Sequence, residues 1–400
     1  MSYLIKEMEQ QISVKYEADV VVAGGGIAGI AAALAAARNG ADVLLIEKQC
    51  IVGGLATSGL IPGYLPLCDG YGHQVSFGIA EELLKLSILY GAQSELPKVW
   101  LEGKELEERS KKRYQVNFNP QYLALLAERQ LLKDHVRILY DSKICNVIVK
   151  ENRITELLIE NKSGRIGVNA KTYIDATGDA DLYWYADAQT RLFTKGNILA
   201  GWYYYNGGQK LHLRSLGYAE VFDEDKKDTV KPLINRRFSG IDGQEISEYL
   251  CLSHNATLKD IIEHKEKDDT VEPTAIATMP QLRMTRCIIG EYELKETENS
   301  KDFTDSIGII ADWRKKGMIY EIPYRSLYNS RLCNVISAGR CISVDDGMWD
   351  ISRVIPSCAV TGEAAGTAAA MTDDFTKLDY SKLSSQLIKQ GQKLKISEIF

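Results

Sequence analysis

Residues 18–48, ADVVVAGGGIAGIAAALAAARNGADVLLIEK, constrain the fold of this chain more than any other stretch. The middle is apolar enough to suggest a membrane span. A span, however, needs about 20 apolar residues whose backbone closes as one helix, and three consecutive glycines at 24–26 oppose that. Divided at the glycines, the stretch reads as two elements and a return. Residues 19–23 form a β-branched run suited to a strand buried on both faces of a parallel sheet. An alanine-rich helix follows, and residues 42–46 make the next parallel strand.

Gly24, Gly26 and Gly29 fit the spacing GxGxxG, in which the three glycines serve in turn for a tight turn, for close approach of backbone to a pyrophosphate, and for close packing of helix on strand. The phosphates meet the positive end of the helix dipole. Glu47 closes the second strand, about 20 residues on, where a carboxylate accepts ribose hydroxyls and repels a 2′-phosphate. The glycines alone would suit any strand-to-helix turn; strand, glycines, helix, strand and acid in register point to a dinucleotide. This unit leaves NAD and the ADP half of FAD both open.

With 400 residues, 45% hydrophobic and 26% charged, the chain has material for a large core over about two domains. A net charge of −6 without a Lys/Arg block excludes a phosphate-backbone partner, so no nucleic acid is expected. Eight cysteines lack any CxxC pair and five histidines are dispersed, so neither metal-ligand spacing nor a disulfide framework is visible. Reduced thiols in a cytoplasmic protein are expected. The N-terminal MSYLIKEMEQQISVKYEAD lacks the basic start, apolar run and cleavage site of a secretory signal.

Three further stretches bear on the ligand. In QCIVGGLATSG, Gly53 and Gly54 let the chain pass close to a ligand and Thr57 offers a hydroxyl. KTYIDATGDADL, residues 171–182, is a β-branched strand running into Ala176, Thr177 and Gly178. NVISAGRCISVDDGMWDISRVIPSCAVTGEAAGTAAAM, residues 334–371, repeats strand, glycine and Ala/Gly-rich helix, with Pro356 suited to the first turn.

This set resembles the FAD-dependent oxidoreductases of the glutathione-reductase-like fold, within the group that includes the fumarate reductase and succinate dehydrogenase flavoproteins. More narrowly it resembles bacterial proteins known only as FAD-dependent oxidoreductases. The resemblance rests on GGGIAGIAAALAAARNGADVLLIEK, GGLATSG, IDATGDADL, PQLRMTRCIIGEYEL (280–294), AGRCIS, RVIPSC and GEAAGTAAA, and it covers most of the chain. It implies an α/β fold: an FAD/NAD(P)-binding Rossmann-like domain of the glutathione-reductase type with an inserted α+β cap. By the same resemblance Gly24, Gly26, Ile27, Ala28 and Gly29 hold the pyrophosphate, and Glu47 and Lys48 the adenosine ribose. Gly53, Gly54, Thr57 and Gly59 serve the ribityl-isoalloxazine side, and Ile144 lies where a backbone segment touches adenine. Ala176, Thr177 and Gly178 line the dinucleotide from the far strand. Gly339, Arg340, Arg353 and Ile355 face the flavin ring.

Such proteins commonly carry a histidine six residues after the arginine of AGRxIS and a second arginine thirteen after it. Here the arginine, Arg353, is in place, but the histidine position is Asp346, a carboxylate that is normally ionised. The HS-led tethering motif of the fumarate reductase group is absent, so FAD is expected to be non-covalent. A helix starting near Pro356 would put its positive end by the flavin's pyrimidine edge. At about 1–2 kcal/mol, and about 30 mV per 1.4 kcal/mol for a two-electron couple, it raises the potential by roughly 20–40 mV.

Periodicity places helices at 78–91 and 119–133 and a three-stranded meander at about 136–170, split by EN and NKSG turns. Residues 186–317 have no glycine fingerprint and are expected to form the substrate cap. The FAD domain comprises 1–185 and 318–400, the chain returning at MIYEIPYRSL. A substrate would sit between cap and flavin. GWYYYNGG, 201–208, suits either a stacking wall or sheet packing. Arg283 and Arg286 form a carboxylate clamp if they point the same way, or otherwise ion pairs. His73 suits structural hydrogen bonds or approach to the flavin; Asp345 and Asp346 suit an N-cap pair or, at Asp346, chemistry.

The expected activity is hydride transfer between flavin N5 and a small organic substrate bearing a carboxylate or a hydroxyl. Arg353, Arg340 and Arg283 would bind an oxyanion and Asp346 would place a proton. The partners are that small molecule and an electron acceptor the sequence does not specify; a homo-oligomer is compatible. The alternatives are an NAD-dependent dehydrogenase, which should lack DATGD and AGRCIS, and a protein holding FAD without turnover.

Overall fold

The structure is a computed structural model that describes residues 11–208, 210–217 and 232–400. The first ten residues of the N-terminal segment, and residues 209 and 218–231 of the expected cap, lie outside the described residues.

Strand β1 (Val14–Ala23) runs through the glycine turn into α1 (Ile27–Arg38) and on to β2 (Val43–Ile46). The two strands pair in parallel, Val20 opposite Val43 and Ala23 opposite Ile46. Val20 and Val22 point into the core beneath α1, whereas Val21 and Ala23 point into the core on the opposite face. Burial on both faces is the reason the run reads as uniformly apolar. Helices α2 (Ile79–Ser87) and α3 (Pro120–Lys133) follow; Asn119 caps α3 by accepting from Gln121 N at 2.9 Å, with proline in its first turn.

Downstream, β3 (Arg137–Leu139) pairs in parallel with β2. Strands β4 (Lys143–Lys150), β5 (Arg153–Asn161) and β6 (Gly164–Asp175) form an antiparallel meander. This differs from the 136–170 reading at both ends. The first alternating run is two strands, broken where Asp141 takes a positive φ of 47° and Ser142 N donates to Glu47 O. The third run continues through residues 171–175 as one strand of twelve residues.

Further along are β7 (Thr190–Leu192), β8 (Gly201–Gly207), β9 (Lys210–Leu216), the long helix α4 (Gly243–Lys265), β10 (Glu272–Ile276) and β11 (Arg286–Ile288). A three-stranded sheet in the order β9-β8-β10 lies against α4, while β11 pairs with β7. The hairpin β12 (Ser306–Ala311) and β13 (Ile319–Pro323) comes next; the cap boundary expected at 317 falls inside its turn. Strand β14 (Val335–Ser337) leads to α5 (Asp346–Ser352), α6 (Ile355–Met371) and α7 (Tyr380–Lys389).

The central parallel sheet has the order β3-β2-β1-β6-β14. Strand β6 is its pivot: one edge lies along β1, while the other is shared between β5 over its first half and β14 over its end. Helix α6 lies on α1 at a distance only small residues permit, since a Cβ at Gly362 would fall 2.3 Å from Ala28 O and one at Gly366 2.1 Å from Ala32 O. Such packing on all sides explains the apolar composition of α1, buried from Ile27 to Ala36. No helix among the described residues is long and apolar enough to cross a membrane.

Candidate cofactor and active site

The glycine turn brings three backbone requirements together. Gly24 has φ +101°, and a Cβ there would lie 2.6 Å from Ala176 O, so the turn presses on the end of β6. At Gly29 a Cβ would fall 1.8 Å from Gly24 O, which seats α1 on the turn. Gly26, by contrast, meets nothing within 4 Å of its built Cβ. It stands in extended conformation at the N-cap of α1, which has no side-chain cap for the first N–H groups of the helix.

The space at Gly26 belongs to a cleft open to solvent. Gly24, Gly26, Ile27 and Ala28 line it at the helix end, with Glu47 and Lys48 just after β2 and Gly53 and Gly54 from the next loop. Ile144 and its neighbours Ser142 and Lys143 enter from β4, and Ala176, Thr177 and Gly178 from the end of β6. Arg340, Arg353 and Ile355 close the far end with Ala338, Met279 and Cys358. Gly29, Thr57, Gly59 and Gly339 lie behind this lining. Thr57 donates to Val52 O at 2.7 Å, Gly59 O accepts from the Gln281 amide, and Gly339 has φ +79° with Ala28 against it.

Glu47 is buried and bonds its own chain through both oxygens, accepting from Gly25 N at 2.6 Å and Gln49 N at 2.7 Å. A carboxylate has about four acceptor sites, so lone pairs are left for a ribose. Asp175 holds the DATGD loop by accepting from Thr177 Oγ1 at 2.7 Å and Leu182 N at 2.9 Å. Burial, then repulsion from Asp181, pushes its carboxyl up to about 6. Cys358 lines the cleft beside Ile355; burial drives its thiol up to about 12, so it stays neutral and unreactive at physiological pH.

Elsewhere the sequence-predicted groups part company. Arg340 donates to the carbonyls of Leu282 and Arg283, at 2.8 and 3.1 Å, and to Asp179 at 3.2 Å; it thereby ties the 280s segment to the DATGD loop. Arg353 bonds Asp350 through Nε at 3.0 Å. Arg283 and Arg286 form no clamp. Arg286 pairs with Asp181 at 2.7 Å and lies over Trp184, whereas the Arg283 side chain packs over Trp202. Asp346 is not brought to the cleft: it begins α5, with its carboxylate 2.5 Å from Arg191, while Asp345 caps α5 by accepting from Met348 N at 2.7 Å. His73 bonds Asp69 at 2.9 Å, a structural contact. In GWYYYNGG the Tyr203 and Tyr204 hydroxyls donate to Asp260 and Gln93, consistent with sheet packing.

Several lining or supporting residues had not been foreseen. Asp350 is buried between Arg353 and Arg314, and its position three residues before Arg353, which caps the end of α5, was a readable signal. Asp179 follows directly on Gly178. Tyr185 and Met279 reach the lining only through tertiary structure, and no local pattern marks them.

A cleft lined by the glycine turn after the first strand, a helix N-terminus and the start of the last long helix has the lining and donors for FAD. This is the site of a dinucleotide-binding α/β enzyme. Residues 19–202 and 241–387 match the family described as FAD dependent oxidoreductase, and the chain belongs to that family. It is thus an FAD-binding oxidoreductase. A stretch of 80 residues is 36% identical to thioredoxin reductase of Ureaplasma parvum serovar 3 (strain ATCC 700970), covering 20% of this chain and 26% of that protein. Among solved structures, a geranylgeranyl bacteriochlorophyll reductase-like protein of Thermoplasma acidophilum is 13% identical, with 94% of this chain and 82% of that one covered at a TM-score of 0.46. L-proline dehydrogenase of P. horikoshii is 12% identical over 95% of this chain and all (100%) of that one, with a TM-score of 0.42.

Proposed function

We propose that this oxidoreductase moves a hydride between a small organic substrate and N5 of a non-covalently held FAD, the substrate lying between the 278–283 segment and the far end of the cleft. One observation carries the reading: Arg340, Arg353 and Ile355 line the same cleft as Gly26 and Glu47, about 300 positions earlier in the chain. FAD, when bound, supplies the two-electron centre.

The chain's own groups supply binding and electrostatics. Gly26 and the N–H groups of Ile27, Ala28 and Gly29 take the pyrophosphate. Glu47 and Lys48 take the ribose, and the backbone at Ile144 meets adenine. Ala176, Thr177 and Gly178 close the cleft from β6. Gly53 and Gly54 approach the ribityl side, in a loop braced by Thr57 and Gly59. Ile355 opens α6, whose first-turn N–H groups favour negative charge at the pyrimidine edge. Arg353 and Arg340, backed by Gly339, place positive charge where an oxyanion develops. Asp346 has no part in this reading.

Anaerobic mixing of the FAD-loaded protein with small carboxylates, alcohols and amines tests it. The visible flavin band should bleach with a substrate of the right class and return in air. A flavin that binds but is reduced by no member of such a panel overturns the reading.

A further inference from the structure

Arg283 is 5% exposed, yet among the described residues its guanidinium has no ion-pair partner and its Nε no hydrogen-bond acceptor. Its two cationic neighbours differ in this respect, Arg340 having Asp179 and Arg353 having Asp350. The indole of Trp202 lies under the guanidinium, 5.7 Å from ring centre to Cζ, and its Nε1 is likewise buried without an acceptor. Two adjacent side chains thus present unmatched donors.

The position is not free to relax. Asn197 Oδ1 accepts from the N–H groups of Arg283 and Met284 at 2.7 and 3.1 Å, and Arg340 grips Arg283 O at 3.1 Å. Burial, followed by repulsion from Arg353, pulls the Arg283 guanidinium down to about 9. A cation held in this way destabilises the chain unless an anion joins it. Since Asp179 and Asp350 already answer the other two arginines, one positive charge is left over.

Building on the function proposed above, we propose that Arg283 and Trp202 form the carboxylate-binding site of the substrate, beside the Arg340–Arg353 end of the cleft, so that the substrate is a small monocarboxylate. A planar fork of guanidinium donors flanked by an indole N–H suits a carboxylate, and a single unmatched charge favours a monoanion over a phosphate dianion.

The test is calorimetric titration of FAD-loaded protein with acetate, pyruvate and benzoate, their neutral amides, and inorganic phosphate, alongside urea unfolding. At least one carboxylate should bind saturably, more tightly than its amide and than phosphate. Arg283→Met should raise its Kd at least about 30-fold, retain FAD, and be as stable as the parent or more so. A purely structural arginine would instead lose stability on this change. Trp202→Phe should raise Kd by about 3–10-fold. The proposal is overturned if no carboxylate binds, if amide or phosphate binds as well, or if Arg283→Met binds the carboxylate unchanged. Failure to take up FAD would refute the function reading instead; carboxylate binding through Arg283 in the FAD-free chain would still uphold this site.

Discussion

Gly26 and Gly29 stand three residues apart in one turn, and alanine at each should have opposite consequences. At Gly29 the new methyl would fall 1.8 Å from Gly24 O, in a turn anchored where Gly24 N donates to Ile46 O at 2.8 Å. Overpacking against an immovable group costs about 1–3 kcal/mol or more, so Gly29→Ala should destabilise the FAD-free protein by at least that amount. At Gly26 the methyl meets nothing within 4 Å, and φ −68° with ψ −178° suits any residue. About 0.5–1 kcal/mol lost in capping is offset by about 0.4–1 kcal/mol from reduced freedom of the unfolded chain, leaving stability nearly unchanged. That methyl would, however, occupy the space where a pyrophosphate approaches the helix. Losing one or two charge-assisted N–H bonds at about 1.5–3 kcal/mol each, in part relieved by adjustment, removes about 2–4 kcal/mol, or roughly 30–1000-fold in Kd for FAD. Urea unfolding of the FAD-free chains and fluorescence titration with FAD read the two effects separately. Equal stability losses for both variants, or an unchanged Kd for Gly26→Ala, would refute the reasoning.

Other outcomes follow from buried charge. Glu363 on α6 accepts from Ile79 N and Gln392 Nε2, both at 2.7 Å, and burial pushes its carboxyl up to about 7. The folded state therefore holds a proton that the unfolded chain releases near 4.5. Stability from this group is full below that value and is lost as pH rises through about 7, by roughly 3 kcal/mol. Glu363→Gln should flatten the fall in unfolding free energy between pH 5 and pH 8; an unaltered slope would count against it. Asp350→Asn removes the carboxylate bonded to Arg353 and Arg314, both partly buried, and should cost about 3–5 kcal/mol in urea unfolding; a cost below about 1 would show that the pair contributes little. In native protein a maleimide should label exposed Cys50 and Cys251, while buried Cys287, Cys341 and Cys358, their thiols raised by burial, stay unlabelled by mass spectrometry.

Much of the nucleotide fold was legible because its constraints are local. The β-branched runs at 19–23 and 42–46, the glycine spacing between them and the proline near the start of α6 each act within a turn or a strand. The meander was read with the wrong ends, since nothing nearby says that residues 137–139 pair with β2 or that β6 runs on through Asp175. Side-chain partners across the fold were illegible for the same reason. Asp346 takes up Arg191, 155 residues away, and sequence spacing carries no trace of that pair. Arg283 and Arg286 look equivalent at three residues apart; Asp181, from another segment, claims one, and the other has no ion pair among the described residues.

The central claim, that segments from β1 to α6 converge on a single FAD, is tested most directly by stoichiometry. Titration of the purified, flavin-stripped chain with FAD should end at one FAD per chain, and acid precipitation should release the flavin into the supernatant. A chain that takes up no FAD, or whose colour stays in the acid pellet, would contradict the account.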